Sequence, residues 1–195
     1  MSDISSRVRI EEAETICQRK YLLQSVTLSW RRGNGAWEAQ KREVYDKGNG
    51  AAILLYNLKR RSVILIRQFR LPTFLNGYRE LLVEVPAGGL DGAEPQERIR
   101  DEVAEETGYV VGGVKQVFEA FMSPGVFTEK LHFFVAEYDS ASRPGIGGGL
   151  AEEGEDIEVL EISFAQAFAM IASGNIVDAK TIMLLQHAKI NIFAD

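Results

Sequence analysis

The chain has 195 residues, 46% of them hydrophobic and 26% charged, a composition that supports one globular domain with a core and a small appendage. A formal net charge of −6 without a Lys/Arg block excludes the basic face expected of a duplex nucleic-acid binder. No apolar run approaches the ~20 residues that cross a bilayer, the Met1-Ser2-Asp3-Ile4 start lacks a signal-peptide pattern, and the single Cys17 is expected as a half-buried structural thiol, so a reducing cytoplasm fits.

Tyr21 to Trp30 is apolar and β-branched and predicts a strand, followed by a turn at Arg31-Arg32-Gly33-Asn34-Gly35. Trp37 to Tyr45 alternates in period two and pairs back as a hairpin. Further strands are expected at Ala51 to Tyr56, Ser62 to Phe69 and Leu81 to Val85, the last stopped by Pro86. A helix is predicted over Pro95 to Thr107, with Pro95 at its first position, Gly108 just past its end and an apolar stripe from Ile99 and Val103. Strands resume at Val114 to Phe121 and Leu131 to Tyr138. A loop rich in small residues, Ser140 to Gly149, precedes one more strand at Ile157 to Ile162. Ser163 caps a helix through about Ala172, closed by Gly174, and Ile176 to Ile192 has the spacing of a last helix. Strands with one inserted helix and two terminal helices predict an α+β fold, helices packed on a mixed sheet, with a β-rich N-terminal region.

Glu102, Glu105 and Glu106 stand at i, i+3 and i+4 and share one helical face. Like charges at that spacing repel by about 0.2–0.5 kcal/mol per pair, and they crowd the helix end where the macrodipole favours cations. Either the face is simply solvated, with Arg98 and Arg100 as partners, or a cation sits among the carboxylates. Hard carboxylate oxygens suit Mg²⁺, which suits a phosphate substrate. His132 and His187 have no Cys or His partner at ligand spacing. Gly147-Gly148-Gly149 is not a phosphate-binding P-loop, because no Gly-Lys-Ser/Thr follows. No nucleophile signature is present, and Trp30 and Trp37 read as packing residues.

Gly88, Glu94, Glu102, Glu105, Glu106 and Gly108 resemble the Nudix box, G-x5-E-x7-R-E-U-x-E-E-x-G-U. The gap after Glu94 is one residue short, and the box arginine is replaced by Asp101, leaving its orienting role to Arg98 or Arg100. Lys41-Arg42-Glu43-Val44-Tyr45, Arg67-Gln68-Phe69-Arg70, Ser123-Pro124-Gly125 and Gly154-Glu155-Asp156-Ile157 are similar to segments of the nucleotide-sugar pyrophosphatase branch, and Tyr45 to Gly50 to its GDP-mannose members.

The resemblance implies a Nudix α/β/α sandwich over 47–195 and a β-rich dimerisation region over 1–46. It implies Mg²⁺, with Mn²⁺ as substitute, held by Glu102 and Glu106, with Glu105 close by and the Ala87 carbonyl contributing. The general base would come from a mobile acidic loop, Glu153 first and Glu155 second. Arg42, Arg67 and Arg70 are candidates for the substrate's phosphates or base, each equally readable as a strand-surface arginine. Glu129 would meet sugar hydroxyls, and Pro124 marks the branch or makes a plain turn. The implied reaction splits the pyrophosphate of a nucleotide sugar, GDP-mannose first and ADP-ribose second, in a homodimer without nucleic-acid or membrane partners. The rival readings are a catalytically weak Nudix-fold nucleotide-binding module and a non-enzymatic interaction protein.

Overall fold

The computed structural model describes residues 3–194, apart from the side chain of Glu153. The chain divides into two compact units, Met1–Gly48 with Phe121–Glu129, and Asn49–Ala120 with Lys130–Asp195.

The first unit is an antiparallel meander of β1 (Val8–Gln18), β2 (Leu22–Arg31) and β3 (Trp37–Asp46). The turn between β2 and β3 is closed by the Arg32 N–H on the Ala36 carbonyl, and Gly35 supplies the positive φ of 86° that the reversal needs. β1 was not foreseen. It is a polar strand with two register shifts, after Ile10 and after Thr15, so its alternation is broken. Ten of its residues are exposed, Cys17 among them, which corrects the expectation of a half-buried thiol. Arg7 lies over Trp30 at 4.3 Å and Arg9 over Trp37 at 4.1 Å, so the tryptophans pack on guanidinium groups. The 121–129 segment joins this unit by a parallel bridge of Phe127 to Tyr45 and a 2.7 Å hydrogen bond from Thr128 Oγ1 to Asp46.

The second unit is a seven-stranded mixed sheet in the order β10-β5-β4-β9-β8, with β6 added to β5 and β7 to β4. The strands are β4 (Gly50–Asn57), β5 (Ser62–Gln68), β6 (Leu82–Glu84), β7 (Ala87–Gly89), β8 (Lys115–Phe121), β9 (Lys130–Glu137) and β10 (Glu158–Ser163). β4 and β9 run parallel and almost fully buried, so both read as near-continuous apolar runs. β4 and β5 pair only over Leu55–Asn57 and Ser62–Ile64. Beyond that they diverge, and the segment β6-Val85-Pro86-β7 fills the wedge, paired to β5 on one side and β4 on the other. Pro86 ends β6 as expected, yet its carbonyl still accepts the Ile53 N–H.

The helices are the short α1 (Leu71–Leu75), α2 (Pro95–Thr107), α3 (Phe164–Ser173) and α4 (Ala179–Asn191). α2 matches its predicted ends, with Gly108 at φ 74° as its left-handed stop. Ile99 and Val103, fully buried, pack against Ile53, Leu55, Ile64 and Phe134 on one sheet face. Each such side chain contributes roughly 1.5–3 kcal/mol of burial. On the other face Tyr56 meets Phe193, which stacks on Phe164 of α3 at 4.2 Å, giving the α/β/α layering. Ser163 caps α3 through the Gln166 N–H at 3.2 Å. The last helix begins at Ala179, not Ile176, because Asp178 accepts the Thr181 N–H and fixes the start there.

Candidate active site

Burial organises the site. In a 3.6-residue helix Glu102 and Glu106 fall on the inner edge of the α2 face that carries Ile99 and Val103, while Glu105 falls toward solvent. The Glu102 side chain is 8% exposed and Glu106 as a residue 1%, against 29% for the Glu105 side chain. Glu106 Oε2 accepts the Ala87 N–H at 3.1 Å, tying the helix to the wedge strand β7. Gly88 lies where a Cβ would overlap the Glu102 carboxylate, so this glycine makes room for it. Arg98 bridges Glu102 at 2.5 Å and Glu105 at 3.3 Å, and its Nε donates to the Gly89 carbonyl at 3.3 Å. Of Arg98 and Arg100, it is thus Arg98 that contacts two of the three helix carboxylates.

A second set of charges meets the first. Glu84, only 1% exposed, accepts from Arg70 Nε at 2.7 Å and pairs with Lys180 Nζ. Lys180 also pairs with Asp178 at 2.9 Å. Burial pushes the Glu106 carboxyl up to about 9, reinforced by the negative charges of Glu102, Glu155 and Glu84 and opposed by the Ala87 N–H. Burial works against the Arg70 cation, but Glu84, Glu106 and Glu155 together hold its pKa above the ordinary value. The structure thus brings together Arg70, Ala87, Glu102, Glu106 and Glu155, with Glu105 at the rim.

Arg67, by strand alternation, faces away from Glu84 and is engaged by Glu158 across β10 at 2.5 Å. It lines a separate cavity of about 420 Å³ with Leu81, Val83 and Met170. Arg42, Pro124 and Glu129 belong to the first unit, where Glu129 pairs with Lys47 at 2.6 Å. The Glu153 side chain lies outside the described residues; its backbone sits in a one-turn 3₁₀ helix, Ala151–Glu153. Glu84, Lys180 and Asp178 were not foreseen. Glu84 had a visible signal, a lone charge in the apolar run Leu81-Leu82-Val83-Glu84-Val85.

Among the described residues, no three acidic, His or Cys side chains are grouped so as to hold a metal ion, and Arg98 pairs with Glu102 and Glu105. The donor chemistry nevertheless fits a hard divalent cation. Several carboxylates crowd a largely buried spot, and the buried member is held protonated first by burial and then by its neighbours' charge, a charge a cation would offset.

The family model described as NUDIX domain matches residues 46–185. The chain belongs to the NUDIX family. The model for the GDP-mannose pyrophosphatase NudK N-terminal domain matches residues 7–45. Nudix relatives named GDP-mannose pyrophosphatase include that of Pectobacterium atrosepticum, 52% identical over 95% of each chain. That of Citrobacter koseri is 48% identical, covering 94% of this chain and 96% of its own, and that of Escherichia coli O1:K1 is 46% identical, covering 98% and 100%. A solved structure titled ADP compounds hydrolase superposes with a TM-score of 0.71 at 19% identity, covering 94% of this chain and 93% of that one, and shares the Nudix fold. No described helix is long and apolar enough to cross a membrane.

Proposed function

We propose that this Nudix protein hydrolyses the pyrophosphate bond of GDP-mannose to GMP and mannose 1-phosphate, with Mg²⁺ as cofactor and Mn²⁺ as substitute. The observation that carries the reading is the pair of buried carboxylates Glu102 and Glu106, with half-buried Glu155 and Arg70 interacting with Glu106. The identity of 45–52% to GDP-mannose pyrophosphatases over nearly whole chains supports the substrate.

Glu102, Glu106 and the Ala87 carbonyl would hold the metal, with Glu105 at the rim and Arg98 setting the carboxylate orientations. When bound, the ion neutralises charge on the diphosphate and makes a water more acidic. Arg70, kept charged by Glu84, offers the remaining N–H groups of its fork to a phosphate. Arg42, Arg67, Pro124 and Glu129 complete the proposed substrate set, with Arg67 reaching substrate only by leaving Glu158. The charge of Glu155 acts on Glu106, and its segment is tied to the Glu105 carbonyl through Gly149, which favours a metal-side role for it and leaves Glu153 as the loop base.

We propose a homodimer joined through the first unit, residues 1–46 forming the dimerisation region. The support is the β1–β3 sheet, on which Ile10 is 61% and Ile16 50% exposed. The exposed thiol of Cys17 suits the reducing cytoplasm.

The test is product release from GDP-mannose, ADP-ribose, other nucleotide sugars and a nucleoside triphosphate, with and without Mg²⁺, beside Glu106→Gln. Mg²⁺-dependent cleavage of GDP-mannose, nearly lost in the variant, is expected. Preference for ADP-ribose would move the substrate, and turnover indifferent to Glu106 would sink the mechanism.

A further inference from the structure

The run Gly147-Gly148-Gly149 has no place in the proposed chemistry as a phosphate loop, yet it is tied to the helix that carries the carboxylates. Gly148 N–H donates to the Glu106 carbonyl at 2.9 Å and Gly149 N–H to the Glu105 carbonyl at 3.1 Å. Gly145 N–H donates to the Gly108 carbonyl at 3.2 Å, and Arg143 Nε to the Thr107 carbonyl at 3.1 Å. These are the carbonyls that an α-helix leaves without an intrahelical partner, and one loop satisfies four in succession. Arg143 locks the clasp by also donating to the Ile146 carbonyl at 2.8 Å.

Such close approach excludes side chains. A Cβ on Gly147 would stand 2.5 Å from the Thr107 carbonyl carbon, and one on Gly149 would stand 2.5 Å from Glu155 Oε2 and 2.7 Å from Glu155 Cβ. Both glycines hold positive φ, 70° and 78°. Gly148 also holds positive φ, 110°, but the nearest atom to its would-be Cβ is the Ile157 carbonyl oxygen at 3.9 Å. Past the clasp the chain turns back on itself. Glu155 Oε2 accepts the Leu150 N–H at 3.0 Å, and the Ile157 N–H returns to the Gly148 carbonyl at 3.2 Å.

We infer that Gly149 is a positioning residue whose bare Cα forms the seat of the Glu155 side chain, and that the 143–149 clasp fixes that seat to the α2 backbone at Glu105 and Glu106. The carboxylate delivered by the loop and those delivered by the helix are then set at a constant offset before any ligand arrives. This differs from a base that swings in on a mobile loop, and it rests on the reading of Glu155 as a group of the metal site.

Two measurements decide it. Amide hydrogen exchange of the unmodified protein in chelator should show Gly148 and Gly149 strongly protected; exchange at the rate of unstructured peptide would overturn the clasp. Mn²⁺ affinity, read by electron paramagnetic resonance without substrate, should fall about 10–100-fold in Glu155→Gln and by a similar factor in Gly149→Ala. The double variant should lose no more than the worse single one, because both remove the same carboxylate from the same place. Gly148→Ala, which shares the backbone strain without the collision, should lose far less. Losses that multiply in the double variant, or a Gly148→Ala as damaged as Gly149→Ala, would reduce Gly149 to a merely structural glycine. Neither readout needs substrate, so the clasp is tested even where GDP-mannose hydrolysis itself fails.

Discussion

Replacing Glu106 by Gln is predicted to stabilise the chelated protein while abolishing its metal-dependent activity. The carboxyl is 1% exposed, and its pKa is raised from 4.5 to about 9, first by burial and then by neighbouring negative charge. Below pH 4.5 both folded and unfolded chains carry this proton, so it is neutral for stability. Above 4.5 the unfolded chain releases the proton and the folded one keeps it, so stability falls as pH rises, and the decline ends near pH 9. The slope is about 1.4 kcal/mol per pH unit, which accumulates to roughly 3 kcal/mol by pH 7. Glutamine keeps the shape and still accepts the Ala87 N–H, but has nothing to titrate. In chelator at pH 7 the variant should therefore be more stable by about 3 kcal/mol, or roughly 6–12 °C in Tm. Far-UV circular dichroism melts between pH 5 and pH 9 measure this, and the gap should widen with pH. Adding Mg²⁺ should raise the parent's Tm and leave the variant's unchanged. A variant no more stable than the parent in chelator across that range would refute the placement of Glu106 as a buried, charge-crowded carboxyl.

Gly88→Ala would place a Cβ on the Glu102 carboxylate, so metal-dependent kcat should drop about 10–100-fold with far-UV dichroism unchanged, as for other displaced orienting contacts. Arg98→Met removes the bridge between Glu102 and Glu105 and should weaken Mn²⁺ binding about 10-fold or more in a resonance titration. Lys180→Met takes one ion-pair partner from buried Glu84, leaving its pair with Arg70, and should cost on the order of 3–5 kcal/mol in urea unfolding. Ile10→Lys with Ile16→Lys should shift light-scattering mass from dimer to monomer; an unchanged mass would place the dimer contact elsewhere.

The regular elements were legible wherever local chemistry and tertiary context agreed. Pro95 and Gly108 bracket α2, Ser163 and Gly174 bracket α3, and the apolar runs of β4, β5 and β9 could hardly be anything but buried strands. Three features were not legible for distinct reasons. β1 is polar and bulged, so its period-two signal is broken twice. β7 is three residues, Ala87–Gly89, and exists only because β4 and β5 diverge. α1 follows Arg70 over five residues, too short to establish a helical stripe. At the site, the i, i+3, i+4 spacing identified the carboxylate face but could not tell that Glu102 and Glu106 point inward and Glu105 outward. That is decided by which edge of the stripe meets β7. The partnership of Glu84 with Lys180, 96 positions apart, is a product of topology alone. Arg67 and Arg70, neighbours in sequence, part company because the chain leaves β5 between them.

Both tryptophans, Trp30 and Trp37, sit on the β2–β3 hairpin under or beside arginine guanidinium groups, and the unit carrying the carboxylates has none. Intrinsic indole emission is therefore a private channel of the N-terminal meander, while the larger unit is lit only by tyrosine. A melt followed at both wavelengths should report whether the two units lose structure together or in sequence. An indole signal that responds to GDP-mannose would mean that the meander itself senses the ligand.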